Sequence, residues 1–507
     1  MGMLLDKFST IEDWNEALIQ GRHSLVTQEI SELNFKHVPR EMLSRLADLA
    51  YRSNDSISAL KILHPVVHPE NRFQQPATPR ERMIYASALT QLGAVSEALI
   101  LFDEFDAESL PDVLLRKSFA LFKIWDYRSS LPLLKNYILR ADLTAYQKLI
   151  GQVNLAAALI FETNWSDANQ LLAEVIPECE KNSYSLLLGN CLELKAQIDL
   201  FCGQYHQAIK NLEKAKYYLK DQKGDYLFFV EKWLTVCDCF IQQSPEALQN
   251  LHKLKQKAQT LRQWENMRDC DLFEAIITQN QSLSCKLIIG TPHKIYQQRV
   301  RRLFGKNLQP QGDFHLILGS ILASEKREIF DPYSQQQIEP LYKKTQLLSL
   351  FQALTKDFYK PSHIGLLFER IYPQEKFDPF HSPSRVLQLL RRLNQWFIDN
   401  KVSLKVVMEK SEFYLDSSSG TTVEVIIRRS QQLSKKNGQI LALKQTLKKR
   451  TFTTALVAKQ LDISRVSAQS LINKALLSGT LKKNGVGRNT VYQFIATPSR
   501  KTSKEAS

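Results

Sequence analysis

This 507-residue chain has no long apolar run. No stretch approaches eighteen consecutive apolar residues, so no membrane-spanning helix is expected. The amino terminus, Met1-Gly-Met-Leu-Leu-Asp-Lys, has no basic region leading into a sustained apolar core. No signal peptide is therefore expected, and the cytoplasm is the expected compartment. Cysteine is scarce, with seven residues at 179, 191, 202, 237, 239, 270 and 285. An odd number without Cys-x-x-Cys spacing excludes a disulfide framework and suits buried thiols in a reducing compartment. Cys237-x-Cys239, with no histidine near it in sequence, has little weight as a metal site. A P-loop, a Gly-x-Gly-x-x-Gly turn, His-Glu-x-x-His, a Gly-x-Ser-x-Gly elbow and paired zinc-ligand spacings are all missing. The reading is therefore of a non-enzymatic protein with no catalytic residue, cofactor or metal. His64 and His68, flanking Pro65, are expected in a surface loop.

Acid is scarce in the rear of the chain. Residues 286–507 hold 37 Lys+Arg against 16 Asp+Glu, a balance of +21. The whole chain carries +15, so the first 285 residues carry −6. A basic rear behind a mildly acidic front points to a polyanionic partner for the rear.

The front, from about residue 10 to 280, has few glycines and prolines and reads as helix after helix. A pair of small residues twelve apart recurs along it: Ala47/Ala59, Ala86/Ala98, Ser118/Ser130, Ala156/Ala168, Ala196/Ala208 and, less cleanly, Thr235/Ala247. Successive pairs lie 39, 32, 38, 40 and 39 residues apart. Two antiparallel helices approach closely only where both present small side chains, and stacked hairpins bury a core that no single one could. Gly93, Gly203, Trp125-Asp-Tyr127 and Asn164-Trp-Ser166 fall at the turns. With Gly203-x-Tyr205-x-x-Ala208-Ile209-x-x-Leu212-x-x-Ala215, this half resembles tetratricopeptide repeats in a longer unit than the common one. The resemblance implies a concave surface for a peptide or protein partner.

At Lys286-Leu-Ile-Ile-Gly-Thr-Pro-His293 the texture turns short and β-like, and residues 286–312 read as a joining segment. Phe314–Leu322 and Glu328–Phe330 read as strands, followed by helices over Thr345–Tyr359, Pro361–Tyr372 and Ser382–Phe397. A hairpin closes the module, Ser403–Met408 with Glu412–Leu415. The third helix places Val386, Leu389, Leu390, Leu393, Trp396 and Phe397 on one stripe. Ser382 reads as its N-cap and Pro383 as its first helical residue. This order, with Ser384-Arg385-Val386, Leu390-Arg391-Arg392-Leu393 and Phe413-Tyr414-Leu415, resembles the OmpR/PhoB-type winged helix over about residues 313–430. In that family the third helix enters the major groove and the hairpin, or wing, touches the adjacent backbone. Carried over, Ser384, Arg385, Gln388, Arg391 and Arg392 would face DNA, with Lys410 in the wing. The wing turn departs from the pattern, since Glu409 and Glu412 outnumber Lys410.

A second compact pattern covers residues 434–495: helices over Ile440–Leu447, Thr454–Leu461 and Arg465–Leu477, then a hairpin around Gly485 and Gly487. It is similar to the winged helix-turn-helix domains of many bacterial repressors. Arg465, Ser467, Gln469, Ser470 and Asn473 on its third helix, and Lys482, Lys483 and Arg488 in its wing, would face DNA. Residues 496–507 read as a disordered basic tail. The fold expected is mostly α: a helical-repeat array over residues 1–285 followed by two small α+β winged-helix domains. The function expected is a transcriptional regulator that binds double-stranded DNA and a protein or peptide partner. The alternative is a non-enzymatic assembly scaffold, whose helical repeats and winged helices would both bind protein.

Overall fold

Small side chains set how the front of the chain folds. The computed structural model describes residues 10–19, 22–35, 38–69, 75–105, 110–222, 225–304, 314–318, 327–330, 345–400, 404–409, 411–416, 422–427, 451–461, 463–477, 481–485 and 490–494. Its front runs α1 (Thr10–Ile19), α2 (His23–Ser31), α3 (Leu43–Arg52), α4 (Ser56–Val67), α5 (Pro79–Leu92), α6 (Val95–Asp103), α7 (Asp112–Lys123) and α8 (Tyr127–Ile138). It continues with α9 (Ala145–Phe161), α10 (Trp165–Lys181), α11 (Ser185–Phe201), α12 (Tyr205–Leu219), α13 (Tyr226–Gln242), α14 (Pro245–Thr260), α15 (Trp264–Thr278), α16 (Gln281–Ile289) and α17 (Lys294–Phe304). The first five small pairs are buried, one member on each helix of α3–α4, α5–α6, α7–α8, α9–α10 and α11–α12. Ala247 is buried at the corresponding place in α14, whereas Thr235 is half-buried. Leu, Val and Phe from successive hairpins form one continuous core from Leu134 to Phe273. The front is therefore an array of tetratricopeptide-like hairpins.

Local chemistry sets the turns. Asp55 and Asp126 cap α4 and α8, their carboxylates accepting from Ser58 N and Ser129 N at 3.1 Å. Gly93 ends α5 at φ +87°, in the left-handed region where a side chain is strained. The six cysteines whose side chains are described (179, 191, 202, 237, 239 and 270) are free thiols, and only Cys202 is exposed. Among the described residues, no helix is long and apolar enough to cross a membrane, and no cluster could hold a metal ion.

Behind the array come β1 (Phe314–Leu318), β2 (Arg327–Phe330), α18 (Thr345–Leu354), β3 (Ser362–His363), α19 (Ile364–Ile371), α20 (Ser382–Asp399), β4 (Lys405–Glu409), β5 (Glu412–Asp416) and β6 (Thr422–Ile427). β6 pairs in parallel with β2. The other sheet runs β3-β5-β4, antiparallel throughout, with Val407 opposite Tyr414. The apolar stripe of α20 is buried from Val386 to Phe397, as its spacing predicts. Residues 1–311 with 316–425 form one compact unit, and 312–315 with 426–507 a second. The second unit holds α21 (Thr454–Leu461), α22 (Arg465–Leu477), β7 (Leu481–Asn484) and β8 (Val491–Phe494). Phe452, Ala468, Leu471, Ile472, Ala475 and Tyr492 contribute to its core.

Four sequence expectations are corrected. Residues 286–289 are helical rather than β-like, as the end of α16: Asn280 caps Leu283 N at its start, and Leu287 and Ile288 are buried against Trp125, Phe161 and Tyr296. Burial there overrides β-propensity. The helix expected to reach Tyr359 stops at Leu354, and the Asp357 carboxylate just beyond accepts from Tyr359 N and Lys360 N in a turn. Ser382 is the first residue of α20 rather than its cap, Pro383 follows it, and the serine hydroxyl accepts from Asp378 N at 2.9 Å. His64 and His68 are not in a surface loop. His64 lies within α4, hydrogen-bonded to Tyr85 at 2.9 Å, and both are half-buried. The expected helix over Ile440–Leu447 falls outside the described residues.

The α18–β5 module is seated on the array at three places. At the α5–α6 turn, Gly93 and Gly365 let two backbones meet: an added Cβ on Gly365 would stand 2.7 Å from the Leu92 carbonyl oxygen. Beside them the Glu369 carboxylate accepts from Ser96 N at 3.1 Å, and Glu97 accepts from Phe377 N at 2.7 Å. At the α14–α15 turn, Arg262 donates to the Glu409 carboxylate at 2.5 Å and to Glu412 at 3.2 Å, while Trp264 Nε1 donates to Glu412 at 3.3 Å. Between these lies the buried junction. Arg268, fully enclosed, donates to both Asp357 oxygens at 2.8 and 2.9 Å, and Tyr359 donates to Asp271 at 2.7 Å.

G365A sets a gain in helix propensity of about 1 kcal/mol against an overpacking loss of about 1–3 kcal/mol. Because the neighbours are backbone, which cannot swing aside, the urea midpoint of the variant should fall. Replacing Arg268 by Met leaves Asp357 as an uncompensated buried charge and should lose about 3–5 kcal/mol. Adding Asp357→Asn, which keeps the turn acceptor, should recover more than half of that in the same urea titration. Burial holds His68, His293 and His363 down to about 4. These histidines fold neutral, so their contribution is fully present above about pH 6.5 and is lost as pH falls toward about 4. Urea midpoints should drop over that window, and H68Q should flatten the drop.

Candidate functional site

The first helices of successive hairpins share one face of the array, and on it opens a cavity of about 500 Å³. α7 supplies Phe119, Phe122 and Lys123; α9 supplies Ile160 and Phe161; α11 supplies Glu193 and Gln197. α13 adds Phe229, Lys232 and Trp233, and α15 adds Glu265, Asn266 and Asp269. Arg299 from α17 and Lys360 from the module complete the wall. The volume is that of a small-molecule or short-peptide pocket, with apolar walls and a few convergent polar groups.

The polar wall is organised across repeats. Lys232 donates to Asp269 at 2.7 Å across 37 residues. Trp233 Nε1 donates to Glu193 across 40 residues, and Gln197 donates to the same carboxylate at 2.9 Å. Burial pushes the Glu193 carboxyl up, against the lowering effects of Lys232 and these two bonds. Burial likewise pulls Arg299 below its ordinary value, and its guanidinium lies 4.3 Å from the centre of the Phe161 ring. The sequence reading assigned no residue to this surface. The signal that could have found it is polar and aromatic residues recurring one repeat apart on first helices.

On α20, Ser384, Gln388, Arg391 and Arg392 are exposed. Among the described residues Arg391 and Arg392 have no recorded ion-pair partner. Arg385 is engaged within the module: it donates to Glu375 at 3.0 Å and lies 4.0 Å from the centre of the Tyr372 ring. Lys410 falls outside the described residues. The acids on either side of it hold Arg262 of the array, which accounts for the acidic wing turn.

In the second unit, Ser464 caps α22 by accepting from Ser467 N at 3.2 Å. Arg465, Ser467, Ser470 and Asn473 are exposed beside Val466, which is 80% exposed. Gln469 is half-buried, its amide bonded to Asn473 at 3.0 Å and to Thr454 at 3.0 Å. Lys482 and Lys483 are exposed on β7, and Arg488 falls outside the described residues.

No family model and no curated protein matches the sequence. Among solved structures, the apo form of RapI is matched over 59% of this chain and 95% of that one, at 12% identity and a TM-score of 0.35. A Rap protein complexed with competence and sporulation factor is matched over 60% and 96%, at 8% identity and a TM-score of 0.41. The Rap conjugation gene regulator of plasmid pLS20 in complex with the Phr* peptide is matched over 77% and 96%, at 8% identity and a TM-score of 0.36. The helical-repeat assignment rests on the buried small-residue pairs and the continuous core, independently of these likenesses.

Proposed function

We propose that this protein is a non-enzymatic transcriptional regulator that holds a peptide in the array cavity and binds duplex DNA through two winged helices. The observation that carries the DNA reading is the split of α20, which buries its whole apolar stripe and leaves Ser384, Gln388, Arg391 and Arg392 in solvent. A helix packed on its back, with guanidinium and amide groups in front, suits a major groove. The element order α18–β3–α19–α20–β4–β5 with sheet order β3-β5-β4 supports a winged helix of OmpR/PhoB type. In the second unit, α22 and the basic strand β7 support a second DNA contact. Phosphate neutralisation by these cations would supply most of the affinity and make it fall with salt. Arg385, tied to Glu375 and Tyr372, would position the helix from within the module.

The wing of the first module favours a second reading. Glu409 and Glu412 are occupied by Arg262 and Trp264, so this hairpin already makes a protein contact. On that reading both modules are docking units of an assembly scaffold. A gel-shift titration of the full chain on random duplex at two salt concentrations separates them. The regulator reading expects binding that weakens steeply with salt, and the absence of binding at low salt would sink it. Arg391→Ala with Arg392→Ala should weaken binding and lower the salt slope by about 2, one for each lost phosphate contact. Unchanged affinity in that variant would move the contact to Arg465, Lys482 and Lys483.

A further inference from the structure

The array cavity holds more positive charge than its own carboxylates neutralise. Lys232 is matched by Asp269 at 2.7 Å, and Lys360 stands 3.5 Å from Glu265. Lys123 and Arg299, which also line the cavity, have no carboxylate within ion-pair distance among the described residues. Glu193 is taken by Trp233 and Gln197. The Nε of Arg299 is shielded from solvent and has no hydrogen-bond partner, while its guanidinium rests on the Phe161 ring. A guanidinium held on an aromatic face with an unpaired N–H is suited to a carboxylate. Burial, then the like charge of Lys360, pulls the Lys123 ammonium below the ordinary lysine value, against the raising effects of Glu265 and Glu412. A bound anion would relieve that repulsion.

Resting on the reading of this cavity as a peptide site, we infer that its ligand is a short acidic peptide. Arg299 would take one carboxylate, Lys123 and Lys360 a second negative charge, and Phe122 and Trp233 an apolar side chain between them. The cations come from three parts of the chain: α7, α17 and the turn that carries Asp357. A peptide gripping all three would tie the array to the segment that seats the module. An anion without an apolar body would leave the aromatic wall uncovered, and a neutral peptide would leave Arg299 Nε and Lys123 unpaired in a partly desolvated site.

The test uses the full chain and three synthetic pools of capped, otherwise random tetrapeptides, with two fixed positions as Glu, Gln or Lys. Retained peptides are measured by mass spectrometry, and binding is followed by tryptophan fluorescence, since Trp125 and Trp233 line the cavity. The Glu pool should be retained about tenfold over the Gln pool, and the difference should vanish in K123Q and in R299Q. Lys123 is the last residue of α7, outside α17, so K123Q keeps the test meaningful if R299Q loosens α17 in a thermal melt. Equal retention of the Glu and Gln pools, or preference for Lys, would overturn the acidic ligand and leave the peptide site standing. Retention of no pool would overturn both.

Discussion

A single buried guanidinium ties the front of this protein to its first rear module. Arg268 sits on α15 with no exposed surface, its two-pronged bond to Asp357 framed by the rings of Trp125, Tyr296 and Tyr359 at 5.2 to 5.5 Å. Burial disfavours its charge, but Glu265 and Asp357 more than offset that and hold it above the ordinary arginine value. A buried ion pair contributes little net stability compared with a well-packed apolar pair, but breaking one partner is expensive. In this seating Asp357 meets Arg268 and Tyr359 meets Asp271, and a register that left either charge unmatched would be costly.

The cavity borders that seating. Its wall is shared among first helices that the repeat spacing stacks, α17 that packs over Trp125 and Phe161, and Lys360, three residues past Asp357. The acidic wing follows as well. Glu409 and Glu412 look misplaced on a hairpin meant for phosphate, yet they are the counter-ions of Arg262 at the next inter-helix turn. One face of the module is used inside the molecule, and the outer face of α20 is left for something else.

Much of this was legible in the chain because it depends on short-range pattern. The twelve-residue small pairs located the hairpins, and the spacing from Val386 to Phe397 fixed which side of α20 is buried. Failures came where a distant partner decides. Residues 286–289 look β-like alone and are helical because Leu287 and Ile288 are covered by Trp125 at the α7–α8 turn, Phe161 of α9 and Tyr296 of α17. The helix α18 ends early because Asp357 turns the backbone while its oxygens also meet Arg268 from another element. The partner of Glu412 lies 150 residues earlier, beyond any local pattern. The cavity was missed for a related reason: its polar pairs are one repeat apart, a period read only for small residues.

The contacts of Glu369 with Ser96 and of Glu97 with Phe377 join residues 273 and 280 apart in the chain. Hairpins between neighbouring helices close short loops and form early, whereas contacts of such span bear a large chain-closure entropy and form last. During synthesis the array emerges from the ribosome first and can fold hairpin by hairpin. The acceptor turn at residues 93–97 is then complete long before Glu369 or Phe377 exists. Order of assembly thereby follows the order of the chain: the turns that receive the first module are made before the module itself.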